Sequence, residues 1–337
     1  MSASPNSILV IGPSWVGDMV MAQSLFITLK QQHPLCQIDV LAPAWSLPLL
    51  QRMPEVRQAI AMPLGHGQLG LSARYKLGKQ LKSHAYHQAI LLPNSWKSAL
   101  IPFFAAIPLR TGFLGEMRWG LLNDARRLDK QRLTMTVQRF VALGLPENAQ
   151  QPPSYSFPKL SITTEQQQTV IDKFQINRDR KILALCPGAE YGPAKRWPIQ
   201  HFANLAQQKQ QQGWQVWLLG SDKDKAVAEQ INQLSGEVCQ NFAGNTRLAE
   251  AVDLLSLADV VVSNDSGLMH VAAALDKKVI ALYGSSDPNF TPPLHADAKI
   301  LNLNLPCSPC FKRECPLGHT ECLAKIEPAS VMAAIDA

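Results

Sequence analysis

The chain has 337 residues, 46% of them hydrophobic and 17% charged, and a formal net charge of +6. That composition belongs to a globular protein long enough for two cores. The basic excess suits an anionic ligand, but Lys and Arg are scattered without the interleaved aromatics of a single-strand binder, so nucleic acid is not an expected partner. The opening MSASPNSILVIG has neither a basic start nor a long apolar stretch, so no export signal is read and a cytoplasmic location is expected. The longest apolar run, 99–109, is interrupted by Pro102 and Pro108 and falls short of the roughly 20 residues that cross a bilayer.

In chain order, the first half alternates short apolar runs with helical spacing. Residues 8–12, 37–42, 57–61 and 88–92 read as strands of a parallel sheet joined by helices, a Rossmann-like domain over 1–158. The stretch LPENAQQPPSYSFP holds Pro146, Pro152, Pro153 and Pro158 and continues neither a helix nor a central strand, so a linker is placed at about 146–160. The pattern then restarts over 161–337. Helices are expected at 163–174, 199–211, 222–234 and 248–257, and strands at 181–186, 214–220, 238–242, 259–263 and 278–284, with a helix closing the chain. The expected fold class is α/β: two doubly wound Rossmann-like domains facing across a cleft, a common place for a two-substrate active site.

The first chemically loaded turn is IGPSWVGDMVMA. Gly12 and Gly17 have the spacing of a phosphate loop, but Asp18 stands where that loop requires Lys. A carboxylate at a helix start is held charged by the dipole and suits a hydroxyl or its proton better than a phosphate; the plainer alternative is a helix cap. The second motif, CPGAEYGPAKRWP, ends the first strand of the second half, and its pair Lys195–Arg196 before Pro198 makes a shaped basic loop fit to clamp a diphosphate. The alternative is a solvated basic loop over Trp197. Third comes GSDKD, 220–224: an Asp-x-Asp triplet can hold a divalent ion, but Asp222 stands where it would cap a helix, and no metal is assigned. NFAGNT, 241–246, brings Gly244 and Thr246 to the same edge, suited to a base or ribose.

The segment DVVVSNDSGLMHVAAAL, 259–275, is the centre of the chain. A valine-rich buried strand breaks at Asn264, Asp265, Ser266 and Gly267, and an Ala/Leu-rich helix follows. Its N-terminus offers unpaired N–H groups at the carboxyl edge of a sheet, where open α/β folds bind phosphorylated ligands. Asp265 and Ser266 are expected to cap it, Gly267 to permit close approach, and His270, one turn on, to face the same ligand or to be a satisfied core histidine. Near the end of the chain, Cys307, Cys310, Cys315 and Cys322 crowd into CSPCFKRECPLGHTEC, with His319 as a spare ligand. Such spacing allows zinc, but only one C-x-x-C is present, so a packed cysteine-rich loop is the expectation.

Together GPSWVGDMVMA, PGAEYGPAKRWP, SNDSGLMHVAAAL and the cysteine-rich tail resemble the bacterial inner-core heptosyltransferases, along nearly the whole chain. The resemblance implies a GT-B architecture and an inverting transfer of heptose from ADP-heptose to heptosyl-Kdo2-lipid A. It also implies no cofactor or essential metal, and peripheral contact with the cytoplasmic face of the inner membrane. It makes Asp18 the base and Lys195 the diphosphate contact. Pro187, Gly188, Ala189, Ser221, Asp222, Gly244, Thr246, Asp265, Ser266, Gly267 and His270 complete the donor side. On the acceptor side stand Ser14 and Gly17, with Asn94, Ser95, Lys97, Arg110 and Arg118 as polar and basic groups suited to an anionic sugar, the alternative for each basic residue being an ordinary surface charge. Phe103, Phe104 and Trp119 are expected in core packing, with a lipid-facing role as the alternative. Relatives that add the first heptose commonly carry Thr where this chain has Ser266, which keeps the hydroxyl. The alternatives are a nucleotide-sugar epimerase, which would turn over donor without acceptor, and a non-catalytic two-lobed binding protein.

Overall fold

The computed structural model describes residues 7–65 and 67–337; the first six residues, part of the stretch searched for an export signal, lie outside the described residues, as does His66. The chain divides into two compact units, Met1–Pro158 and Lys159–Ala337.

The first unit runs β1 (Ser7–Ile11), α1 (Val16–Gln32), β2 (Gln37–Pro43), α2 (Leu47–Leu50), β3 (Val56–Met62), α3 (Leu71–Leu81), β4 (Gln88–Leu91), α4 (Trp96–Phe104), β5 (Leu109–Phe113), β6 (Asp124–Arg126) and α5 (Thr136–Gly144). Its six strands are all parallel, in the order β3-β2-β1-β4-β5-β6. The central strand SILVI is buried at every position, as expected for a parallel strand covered on both faces. Leu9, Ile11, Leu41 and Leu91 from the sheet pack against Ala99 and Ile101 of α4. Periodicity predicts no strands at β5 and β6. LRTGF and DAR carry too few consecutive apolar residues to announce themselves, and pairing along the sheet edge makes them strands.

The second unit runs α6 (Thr164–Phe174), β7 (Ile182–Cys186), α7 (Ile199–Gln211), β8 (Gln215–Leu218), α8 (Lys225–Leu234), β9 (Cys239–Asn241), α9 (Leu248–Leu257), β10 (Val260–Asn264), α10 (Gly267–Ala274), β11 (Lys278–Leu282), β12 (Lys299–Leu301), α11 (Glu321–Ala324) and α12 (Pro328–Asp336). The sheet is again all parallel, β12-β11-β10-β7-β8-β9. Leu183, Leu185, Val262 and Ile280 of its strands bury Trp197, Phe202 and Leu205. The helix expected over 222–234 is shorter: Asp222–Asp224 form a tight 3-10 turn ahead of α8.

Counted from its own first strand, the second sheet has the same strand order as the first. Each reverses direction of growth between its first and fourth strands, β1 and β4 in one unit and β7 and β10 in the other. Loops leaving the carboxyl ends of those strand pairs diverge and open a crevice, which is where doubly wound sheets bind ligands. Residues 12–15, 92–95, 187–198 and 265–266 are those loops.

Candidate functional site

In the second unit the loops after β7 and β10 are tied together by a buried asparagine. Asn264, the last residue of β10 and fully buried, donates its side-chain amide to the Pro187 carbonyl at 2.7 Å and accepts the Trp197 N–H at 3.0 Å. The loop 187–197 is thereby pinned at both ends. Trp197 is anchored in turn, its indole N–H on the Ile326 carbonyl at 2.8 Å and its ring edge-on to Phe202. In the sequence Asn264 stands only as a break in the valine run; the signal of its role is an amide ending an otherwise apolar buried strand.

The pinned loop carries Lys195, whose ammonium lies 2.5 Å from the Asp265 carboxylate and 5.2 Å from the Tyr191 ring centre. The lysine side chain is 17% exposed and the aspartate 6%. Asp265 therefore pairs with the lysine rather than capping α10 as expected. Ser266 does occupy the N-cap position, but its side chain makes no capping bond; its hydroxyl lies 3.0 Å from that of Ser263. The first N–H groups of α10 thus lack a side-chain cap, beside a lysine ion pair, so an anion can satisfy them. His270 is buried, and its Nδ1 has no hydrogen-bond partner. Burial pushes its pKa down to about 4; Asp265 opposes that shift and Lys195 reinforces it. The ring is neutral at pH 7.

A buried carboxylate shapes the next loop. Asp224 accepts the N–H and the hydroxyl of Ser221 at 2.9 and 2.7 Å, with Arg196 at 3.8 Å. The capping expected of Asp222 is done by this pair, because Asp222 points outward and is exposed. A Cβ on Gly188 would lie 2.5 Å from the Asp224 carboxyl carbon, so a side chain there would collide with the cap. Ala189 is buried behind it. Gly244, at φ +72°, donates its N–H to the Gly220 carbonyl, and Thr246 bonds the Phe242 carbonyl within its own turn.

The first unit is arranged differently. Asp18 is the third residue of α1 and half-buried; Ser14 is exposed and Gly17 buried. The N-cap, Trp15, makes no side-chain capping bond. Gly12 serves packing rather than phosphate: a Cβ there would meet the Met19 methyl at 2.8 Å and the Ala42 methyl at 3.2 Å. Asn94 is exposed after β4, Ser95 is the N-cap of α4, and Lys97 is half-buried, while Glu116 accepts the Trp96 N–H at the start of that helix.

Two arginines assigned to the acceptor hold backbone carbonyls of the fold, and one of them, Arg118, is sealed from the surface. Arg118 is fully buried, with its guanidinium on the Phe113 and Pro93 carbonyls, and burial pushes its pKa down to about 10. It has no surface to offer a sugar. Arg110 holds the Leu121 and Ile107 carbonyls at 2.7 and 2.6 Å and lies over the Phe103 ring. Trp119 and Phe103, expected in the core, are 67% and 44% exposed. The cysteine-rich stretch is not packed either, since no residue from 302 to 320 is buried.

The sequence matches the profile of glycosyltransferase family 9 (heptosyltransferase) over residues 74–321. It is 48% identical to the lipopolysaccharide heptosyltransferase 2 of Salmonella typhimurium, across 96% of each chain. It is 51% identical to the lipooligosaccharide heptosyltransferase 2 of Haemophilus influenzae, across 88% of each. Among solved structures, the ADP-heptose LPS heptosyltransferase II of Escherichia coli superposes with a TM-score of 0.87 at 44% identity, covering 98% of this chain and 97% of that one.

Proposed function

The chain belongs to glycosyltransferase family 9, the heptosyltransferases, and we propose that it moves heptose from ADP-heptose to a lipopolysaccharide inner-core acceptor already bearing one heptose, with inversion at the anomeric carbon. The observation that carries this reading is the second-unit site: a lysine held by a carboxylate beside the uncapped N-terminus of α10, at the sheet's switch point. A leaving diphosphate needs stabilising charge, and Lys195 with the first N–H groups of α10 supplies it without a divalent ion. Asp265 holds the ammonium in place until the diphosphate competes for it. Neutral His270 adds no positive charge there. Asn264 and Asp224 set the shape of the loops that would receive the adenosine and sugar.

Displacement through an oxocarbenium-like state also needs a base on the acceptor hydroxyl. Asp18 takes that role in this reading, with Asn94, Ser95 and Lys97 as the polar groups for an anionic sugar. No helix among the described residues is long and apolar enough to cross a membrane. In this reading the lipid-anchored acceptor is met at the membrane surface, on the cytoplasmic side.

The deciding experiment is mass spectrometry of the purified protein with ADP-heptose and truncated lipopolysaccharides differing by one heptose. One added heptose on the mono-heptosylated acceptor, and none on the heptose-free one, is the expected result. Donor consumed without acceptor would favour the epimerase alternative, and transfer only to the heptose-free core would move the chain to the preceding step. Activity that persists in magnesium-free buffer is expected; strict dependence on added magnesium would overturn the metal-free leaving-group role.

A further inference from the structure

We propose that Cys307, Cys310, Cys315 and Cys322 together bind one thiophilic divalent ion, zinc or iron, which pins the 302–320 segment against the loop carrying Lys195. That segment joins β12 to α11 with no helix, no strand and no buried residue. Structureless connections beyond about 12–15 residues are uncommon in compact domains and need something to hold them. Apolar burial does not hold this one, because Phe311 and Leu317 are 49% and 60% exposed.

All four cysteines border a single small cavity of about 20 Å³, together with Ala194, Ser285 and His319. That is room for roughly one water-sized sphere, a space that a single ion fits. Ser285 on its wall is 2% exposed and its hydroxyl has no hydrogen-bond partner, an independent sign that something polar belongs there. A water would need about two to four polar partners, and thiols are poor ones. Four cysteines lining one cavity supply instead the donor types of a tetrahedral zinc or iron site. The four thiols are free, and among the described residues no three ligating side chains already stand as a closed set. Binding would therefore draw the sulfurs inward to about 2.3 Å from the ion.

The segment leans directly on the Lys195 loop. Arg313 accepts the Ala194 N–H at 3.0 Å, and Tyr191 donates its hydroxyl to the Phe311 carbonyl at 2.9 Å. A Cβ on Gly192 would lie 2.4 Å from the Arg313 oxygen, so the two backbones are in close approach. From the other side, the Phe311 N–H donates to the Ser285 carbonyl at 2.7 Å. An ion gathering the cysteines would fix Phe311 and Arg313, and through them the backbone that presents Lys195.

The test uses the full chain, purified under reducing conditions. Elemental analysis should find one zinc or iron per chain, and the stripped protein should take up one equivalent of Co2+ with a thiolate-to-cobalt absorption band that added Zn2+ abolishes. Cys307→Ser changes an exposed position and so spares folding; it should weaken Co2+ binding, as should Cys310→Ser. Stripping the ion should lower the melting temperature and weaken ADP binding, leaving the metal stoichiometry as a readout independent of the donor reading. Substoichiometric uptake by fully reduced protein, an unchanged cobalt band in both serine variants, or disulfides among these cysteines in the native chain would overturn the site. A bound ion whose removal alters neither melting nor ADP affinity would overturn its buttressing of the Lys195 loop.

Discussion

Lys195 and Arg118 look alike in the sequence, each a basic residue in a glycine-containing loop near a strand end, and the fold treats them in opposite ways. Arg118 is sealed in the first unit with its guanidinium on the backbone carbonyls of Phe113 and Pro93. Lys195 keeps 17% of its side chain exposed and faces one carboxylate, Asp265. A clamp on buried carbonyls is not exchangeable, because those oxygens have no other donor once the arginine leaves. An ion pair at a loop edge is exchangeable, because an incoming phosphate replaces the carboxylate as partner. What distinguishes a binding cation from a structural one is therefore not its charge but whether its partners can be substituted.

The largest effect expected lies with neither cation. If the first unit contributes a base rather than charge, Asp18→Asn keeps size and lowers single-turnover transfer by roughly 10²–10⁴-fold, the usual worth of general base catalysis. ADP-heptose affinity and melting temperature should stay near the parent values; a near-normal rate would reduce Asp18 to a helix-start residue. Next, Arg118→Ala should cost about 3 kcal/mol of stability by denaturant unfolding, since it empties a fully buried site and orphans two carbonyls. A change below about 0.5 kcal/mol, with acceptor affinity lost instead, would reverse its assignment. Lys195→Ala should weaken donor binding by roughly 10–100-fold, the range for a charged hydrogen bond of about 1.5–3 kcal/mol. It also leaves Asp265 buried without its cation, so affinity is to be measured well below the unfolding transition.

The smallest effect sharpens the comparison through pH. His270 has its pKa depressed to about 4 in the folded chain, below the ordinary value of 6.5. Between those values the unfolded chain binds more protons, so this residue's contribution to stability is present above about 6.5 and is lost as pH falls toward 4. Denaturant midpoints measured across that window should fall for the parent and fall less for His270→Gln, by at most one proton's slope. Equal slopes would mean that the histidine is not held neutral by burial.

Local pattern carried much of this protein into view. Valine- and leucine-rich runs bounded by Gly, Pro and Asn announced the buried parallel strands, because such strands are apolar on both faces. Their alternation with helical spacing was enough for two doubly wound units, and the order of the motifs was enough for the family. The turns after β1, β7 and β10 were legible because helix starts and shaped loops need particular residues at particular positions. Hidden from the sequence were the short edge strands β5 and β6, which exist through pairing rather than composition. Hidden too were the roles of Asn264 and Asp224, whose partners lie far along the chain or depend on a tight turn. The sequence alone determined which polar residues follow which strands. Only the tertiary structure decided which of them remain available, because burial and the supply of unsatisfied carbonyls nearby, not residue type, settle whether a charge is kept for a ligand or drawn into the fold.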